Sequence, residues 1–192
     1  RSAFAEVNLA VALGSMDDDD RLGIAHFIEH ILFVGPTYNS VHPLLRSLAR
    51  KATDVNAWTD RYLTRYETSS GENVSEQIEA LLGLTREIIT TPEAMEIERR
   101  IILQEIEEGK YEPGNYNWRM RMLYPNVTGL HHSTDGTSES VKSLTLSNLW
   151  HHHHRWYGPS NMLIQVASRL PHDEVLDIIA SSWLLQAPRS EC

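Results

Sequence analysis

Alternating apolar and polar positions open the chain, and apolar positions at helical spacing dominate the rest of it. The alternation over residues 5–13 predicts a half-buried β-strand. Runs bounded by turn residues predict three more strands, at residues 55–58, 63–68 and 162–167. Apolar residues three and four apart predict helices with one buried stripe. These helices are expected at residues 22–33, 42–50, 74–90, 92–108, 116–123, 144–157 and 173–183.

The mixed order of strands and helices predicts an α+β fold. We expect a sandwich in which a mostly antiparallel, mixed sheet carries helices packed mainly on one face. A chain of 192 residues suffices for one domain with a substantial core, and neither an internal repeat nor a flexible linker divides it. We therefore expect a single domain over residues 1–192, with a polar loop at 125–138.

The charge and the cysteine content narrow the possible partners and chemistry. The formal net charge of −9 argues against nucleic acid or an anionic membrane as a partner, because both require clustered lysine and arginine. The single cysteine, Cys192, excludes an internal disulfide framework and a cysteine-based zinc site. Residues 1–9 resemble a strand rather than a signal peptide, and no apolar run has the length of a membrane span. We therefore expect a soluble, cytoplasmic protein.

A short histidine-containing segment lies within the first predicted helix. His26, Glu29 and His30 are three and four residues apart, so their side chains share one helix face. Two imidazoles at this spacing can bind one zinc ion, and a carboxylate beside them can accept a proton from a metal-bound water. The order H-x-x-E-H is the reverse of the common zinc-protease motif. The segment therefore predicts a catalytic zinc site.

A zinc site with two histidines needs a third protein ligand. The helix predicted at residues 92–108 offers several carboxylates: Glu93, Glu96, Glu98, Glu105, Glu107 and Glu108. Glu98 and Glu105 are two turns apart and share a helix face, with Ile101 and Ile102 between them on the expected buried side. Periodicity alone leaves the choice of ligand open.

Three polar clusters are not expected to bind metal. The acidic residues 17–20 are expected to form a solvated loop, at a place where negative charge favours the start of a helix. The four histidines at 151–154 point around a helix rather than to one side of it, so we expect a solvated helix face. His131 and His132 lie in a polar loop without ligand spacing and remain unassigned.

Five segments of the chain carry a resemblance to a known enzyme family. They lie at residues 23–33, 56–59, 98–106, 136–137 and 155–162, and they follow the order and spacing of that family. On these segments the chain resembles the N-terminal zinc-binding domain of the pitrilysin, insulysin and mitochondrial processing peptidase family. The resemblance covers nearly the whole chain, which makes it far more specific than the H-x-x-E-H segment alone.

The resemblance implies a role for each residue of the predicted site. His26 and His30 are implied to bind zinc, and Glu29 is implied to be the general base. Glu105 is then the third zinc ligand. Glu98 is implied to be an outer carboxylate that orients a ligand histidine without touching the metal.

The resemblance also implies how a substrate binds. In the family a peptide adds as a strand to the sheet edge, here at Asn56, Ala57, Trp58 and Thr59. The family usually has an acidic residue in the turn after this strand, whereas this chain has Tyr62. This difference leads us to expect a changed substrate edge near the turn.

The implied activity is that of a zinc-dependent endopeptidase acting on peptides or small unfolded polypeptides. Members of the family build a closed chamber from two related halves of two such domains each, so this chain would form one quarter of a chamber. We therefore expect a second copy of the chain or a homologous partner subunit to complete it. A catalytically silent scaffold subunit of a processing peptidase is the alternative. Maturation of one specific precursor peptide is a narrower form of the main hypothesis.

Overall fold

Four antiparallel strands form the sheet of this protein. The computed structural model describes residues 5–37, 40–51, 53–70, 73–109, 116–126, 130 and 132–182. Within them the strands are β1 (Ala5–Val11), β2 (Asp54–Thr59), β3 (Thr64–Ser70) and β4 (Met162–Ala167), in the spatial order β2-β3-β1-β4. Leu9 of β1 is opposite Tyr66 of β3 and Ile164 of β4. Strand β2 pairs with β3 and forms one edge of the sheet.

Eight helices accompany this sheet in the described part of the chain. They are α1 (Ile24–Phe33), α2 (Pro43–Ala49), α3 (Val74–Leu84), α4 (Pro92–Gly109), α5 (Tyr116–Leu123), α6 (Ser138–Ser143), α7 (Leu146–Trp156) and α8 (His172–Ala180). None of them is both long enough and apolar enough to cross a membrane.

Helices cover one face of the sheet, and the other face is polar. The covered face and helices α1 and α3 supply the core residues Val7, Leu9, Val11, Tyr66, Phe27, Ile28, Ile31, Ile78 and Leu81. Side chains alternate along a strand, so the intervening positions form the polar face. These positions include Glu6, Asn8, Arg65, Glu67 and Gln165. The predicted α+β class, with an antiparallel sheet and helices mainly on one face, is confirmed.

Two differences from the predicted elements have identifiable local reasons. The helix predicted at 74–90 ends at Leu84, where the hydroxyl of Thr85 donates to the carbonyl of Leu81 at 3.0 Å. Helix α6 was not predicted, because its six residues bury only Val141 and give no periodic pattern. The Thr137 hydroxyl starts this helix by accepting the N–H of Ser140 at 3.1 Å. The helix end predicted at residue 183 lies outside the described residues.

The four consecutive histidines of α7 are not a solvated face. His151 and His154 are exposed, but His152 and His153 are only 4% and 5% exposed. Successive residues rotate around a helix by about 100°, so two of four neighbours can face the core. His153 Nε2 donates to the carbonyl of Thr85 at 2.9 Å, and the ring stacks on Tyr157 at 4.4 Å between centroids. Burial lowers the pKa of both buried histidines to about 4.

Arg99 connects α4 to the helices beside it. Its guanidinium is buried and donates to the carbonyls of Val141 and Leu144, the latter at 2.7 Å. The same group lies over the ring of Phe27 in α1, 5.4 Å from the centroid. Buried carbonyls need donors, so one side chain satisfies the end of α6 while it packs α4 against α1.

We expect Arg99→Met to reduce the free energy of unfolding by about 2–4 kcal/mol, because two buried carbonyls lose their donor. Arg100→Met is the matched control, since Arg100 is the exposed neighbour on the same helix. Chemical denaturation of both variants and the wild type measures the difference. Equal stability of the two variants would contradict the role given to Arg99.

The buried histidines are expected to make the protein less stable as the pH is lowered. In the unfolded chain His152 and His153 bind a proton near pH 6.5, whereas in the folded chain they do so only near pH 4. The free energy of unfolding therefore decreases as the pH falls from 6.5 towards 4. We expect His153→Gln to remove about 1–2 kcal/mol of the loss measured by denaturation between pH 7.5 and 5.

His154→Gln is the control for this measurement, because His154 is exposed on the same helix. Its pH dependence should match that of the wild type. If His153→Gln and His154→Gln lose the same stability over this pH range, His153 is not held neutral by burial.

Candidate metal centre

A buried carboxylate starts helix α1. Asp18 accepts the backbone N–H of Gly23 at 2.6 Å and that of Ala25 at 3.1 Å. Among the acidic residues 17–20, expected to be solvated, Asp18 is instead buried, and burial raises its pKa to about 7. The exposed N–H groups at a helix start need such an acceptor, so Asp18 fixes the direction in which α1 leaves the loop.

Helix α1 places its two histidines beside each other. The apolar side of the helix is fully buried through Phe27, Ile28 and Ile31. On the other side the rings of His26 and His30 lie 4.7 Å apart between centroids, at an interplanar angle of 82°. Both rings therefore present nitrogen atoms to the same small volume.

Glu105 of helix α4 completes a group of three possible metal ligands. Its Oε2 lies 4.0 Å from Nε2 of His26 and 3.5 Å from Nε2 of His30. One ligand atom from each of the three residues lies within 4.8 Å of the other two, close enough to converge on one ion. Two imidazoles and one carboxylate are the protein ligands of many catalytic zinc sites, in which the fourth position is open to water. The residues present therefore fit a zinc ion.

Glu98 contacts the other nitrogen of the His30 ring. Its Oε2 lies 3.2 Å from His30 Nδ1, so this nitrogen can donate to the carboxylate. The lone pair is then on Nε2, which faces Glu105. Glu98 and Glu105 share a face of α4, but Glu98 lies at Nδ1 of the His30 ring and Glu105 at Nε2. Helix periodicity cannot distinguish these two positions.

The structure shifts the pKa values of His26 and His30 in opposite directions. Burial, together with the neighbouring His30, lowers the pKa of His26 to about 4. Burial also acts against the charged form of His30, but the hydrogen bond with Glu98 and the charge of Glu105 outweigh it and raise its pKa. Without a metal, His26 is neutral at pH 7, and neutral imidazole is the form that binds zinc.

Glu29 lies on the histidine face of α1 and is held from the sheet. The hydroxyl of Thr59 donates to Glu29 Oε2 at 2.7 Å. Burial raises the pKa of the Glu29 carboxyl. The hydrogen bond leaves the second carboxylate oxygen available to a substrate or to water. The resemblance implies that the Thr59 backbone binds substrate, and in the structure the Thr59 side chain is hydrogen-bonded to Glu29.

Strand β2 contains all four residues expected to bind substrate. Ala57 and Thr59 are half-buried on the helix side of the sheet, while Asn56 and Trp58 are exposed on the other side. Among the residues that the structure describes, no strand pairs with the outer edge of β2. Its backbone groups at this edge can therefore accept an added strand.

A cavity of about 570 Å³ lies between β2 and α4, next to Glu29 and His30. Its lining is mostly apolar: Phe33, Val34, Val41, Ala57, Ala94, Ile97 and Ile101. Ile101 was expected on the buried side of α4, yet it is 41% exposed, while Ile102 is fully buried. The stripe of α4 that carries Glu98 therefore continues as an apolar wall of the cavity.

The structure adds Asp135 to the site and shows the surroundings of Tyr62, the residue at which this chain differs from the family. Asp135 Oδ1 lies 3.9 Å from Nδ1 of His26, although no pattern links these distant positions. Tyr62 is 67% exposed in the turn between β2 and β3. That turn is held by Asp60, whose carboxylate accepts the backbone N–H groups of Tyr62 and Leu63 at 2.6 and 2.9 Å.

Known proteins are similar to this chain in sequence and in fold. The probable zinc protease PqqL of Escherichia coli is 28% identical over 183 residues, which cover 89% of this chain and 19% of that protein. The probable beta subunit of the mitochondrial processing peptidase of Arabidopsis thaliana is 26% identical over 176 residues, covering 90% of this chain and 33% of that protein. The structure of an M16-like peptidase from Alicyclobacillus acidocaldarius superposes with a TM-score of 0.85 at 27% identity, over 98% of this chain and 46% of that one.

This chain thus spans less than half the length of these relatives. The family described as insulinase, peptidase family M16, matches residues 1–132. The matched residues include His26, Glu29 and His30 of α1 and Glu98 and Glu105 of α4. The chain therefore belongs to the insulinase family, peptidase family M16.

Proposed function

We propose that this chain provides the catalytic zinc site of a metallopeptidase that hydrolyses peptides. The observation that carries the proposal is the convergence of His26, His30 and Glu105, with Glu29 beside them on α1. Relatives named as zinc proteases support the same chemistry. The silent-scaffold alternative is less well supported, because this chain has both the three-ligand set and the carboxylate beside it.

Each residue has a defined task in this proposal. A zinc ion held by His26, His30 and Glu105 supplies, when bound, a Lewis acid and an acidified water. Glu29 accepts the proton of the attacking water on the carboxylate oxygen not bonded to Thr59, and returns it to the leaving amine. The hydroxyl of Thr59 keeps this carboxylate oriented during both transfers.

The substrate is proposed to add to β2 as an extended strand. Backbone hydrogen bonds along residues Asn56 to Thr59 would hold it, which tolerates many peptide sequences. The apolar cavity beside Glu29 and His30 would take one apolar side chain of the peptide. The expected substrate is therefore an unstructured peptide with an apolar residue next to the cleaved bond.

The active assembly is proposed to contain a second subunit. The relatives are more than twice as long as this chain, and the Arabidopsis relative is named as a subunit. In the part of the chain that the structure describes, no strand pairs with the outer edge of β2, the strand whose Thr59 holds Glu29. A second copy of this chain or a homologous subunit would cover it.

We expect Glu29→Gln to retain zinc and to lose peptidase activity by about 10²–10⁴-fold, because the amide cannot accept the proton. Elemental analysis gives the zinc content, and cleavage of a fluorogenic unstructured peptide gives the activity. Glu93→Gln is the control, since Glu93 is an exposed carboxylate of α4. An active Glu29→Gln protein would exclude Glu29 as the base.

The same measurements test the alternative. Glu105→Gln should reduce the zinc content, unlike Glu29→Gln, because of these two glutamates Glu105 is proposed to bind the metal and Glu29 is not. A wild-type chain that holds no zinc, even after zinc is added, would favour the silent subunit. So would a zinc-loaded chain that cleaves no peptide with or without its partner.

Native mass spectrometry of the purified protein should show zinc-bearing dimers or complexes with a homologous subunit. Peptidase activity should then rise with protein concentration or with added partner, because the site is shared. Chelator removes the zinc and provides the control for metal-dependent activity. A zinc-bearing monomer with full, concentration-independent activity would contradict the shared assembly.

A further inference from the structure

Nδ1 of His26 has no hydrogen-bond partner among the residues that the structure describes. This nitrogen is buried, although polar atoms in protein interiors are nearly always satisfied. The side chain of His26 is 13% exposed. The carboxylate of Asp135 faces this nitrogen, with Oδ1 3.9 Å from Nδ1.

The two histidines of the centre are oriented in the same way. Each directs its Nε2 to Oε2 of Glu105, at 4.0 Å for His26 and 3.5 Å for His30. Each directs its Nδ1 to a second carboxylate: Glu98 for His30 and Asp135 for His26. A histidine that binds metal through one nitrogen usually donates the other N–H to such a group, which fixes the tautomer and the ring orientation.

The backbone holds the Asp135 loop against the start of α1. Gly23 and Gly136 cross at close range, with φ angles of +87° and +82°. A Cβ on Gly23 would lie 2.4 Å from the Asp135 carbonyl oxygen, and one on Gly136 would lie 2.4 Å from the Leu22 carbonyl oxygen. Only glycine allows both this approach and these angles. The Asp135 backbone is thereby held against Gly23, which lies three residues before His26.

The carboxylate itself is anchored on its far oxygen. The hydroxyl of Ser133 donates to Oδ2 of Asp135 at 3.0 Å, within a turn closed by the Gly136 N–H and the Ser133 carbonyl. Oδ1 is left to face His26. A movement of about 1 Å brings Oδ1 and Nδ1 within the usual hydrogen-bond distance.

We infer that Asp135 is a positioning residue of the metal centre, which accepts the Nδ1–H of His26 and keeps Nε2 of that ring free for the metal. This inference rests on the proposed function only in that zinc binds at His26, His30 and Glu105. Asp135 does not touch the metal. It makes His26 the counterpart of His30, so that both imidazole ligands are held by a carboxylate.

Zinc affinity tests the inference without any peptidase assay. Competition with a chromogenic chelator should show Asp135→Ala binding zinc about 10–100-fold more weakly than the wild type. Asp135→Asn should lose less, because its amide oxygen still accepts the N–H. Asp173→Ala is the control for the removed charge, since the Asp173 side chain is 99% exposed and belongs to α8.

Two readouts separate positioning from folding. Thermal unfolding in excess chelator should be similar for Asp135→Ala and the wild type, so that only the zinc-induced stabilisation is smaller. Nitrogen NMR of the metal-free imidazoles should show His26 with its proton on Nδ1 in the wild type and shifted towards Nε2 in Asp135→Ala. A loop defect alone would not move the proton within the ring.

The outcomes are distinct from those of the proposed function. If the wild type binds zinc and Asp135→Ala binds it equally tightly, the inference is wrong while the proposed function stands. If both bind weakly with the same His26 tautomer, the inference is also wrong. A wild type that binds no zinc overturns the proposed function and the inference together.

Discussion

Helix α1 has one side in the apolar core and another that carries the two histidines, and the elements around it pack against both sides. Its apolar side buries Phe27, Ile28 and Ile31, each worth about 1.5–3 kcal/mol. Its other side brings His26 out of water, and this burial, together with the neighbouring His30, lowers the pKa of the ring to about 4. The ring is therefore neutral at pH 7. Core burial thus holds the helix in place, and the same burial keeps His26 in the form that can bind a metal.

The polar partners of α1 come from separate parts of the fold. Asp18 precedes the helix, Thr59 lies on the edge strand, Glu98 and Glu105 lie on α4, and Asp135 lies in a distant turn. Because these residues lie on four separate segments, the site forms only when all four segments pack against α1. Helix α4 is itself held in place by a buried arginine, Arg99, which contacts α1 and the end of α6.

Local patterns predicted what depends on local geometry. The strands, most helices and the shared face of His26 and His30 follow from periods of two and 3.6 residues. The choice between Glu98 and Glu105 needed the family resemblance, because seven residues return to the same helix face. The burial of His152 could not be predicted, since a run of four histidines offers no apolar contrast.

Long-range contacts were beyond any such pattern. The position of Asp135 against His26 depends on two loops crossing at glycines. A polar stretch of sequence contains no signal for such a crossing, and the six-residue α6 next to it was missed for the same reason.

In the proposed mode of binding, the edge strand determines register as well as affinity. Thr59 on β2 touches Glu29, so the strand that receives the peptide also fixes the base. Side chains of an added strand alternate, as do Ala57 on the cavity side and Trp58 on the opposite side. A slip of one residue would turn every peptide side chain to the other face and remove the apolar one from the cavity. Backbone hydrogen bonds can therefore accept many sequences, while the cavity beside α4 selects which bond lies at Glu29.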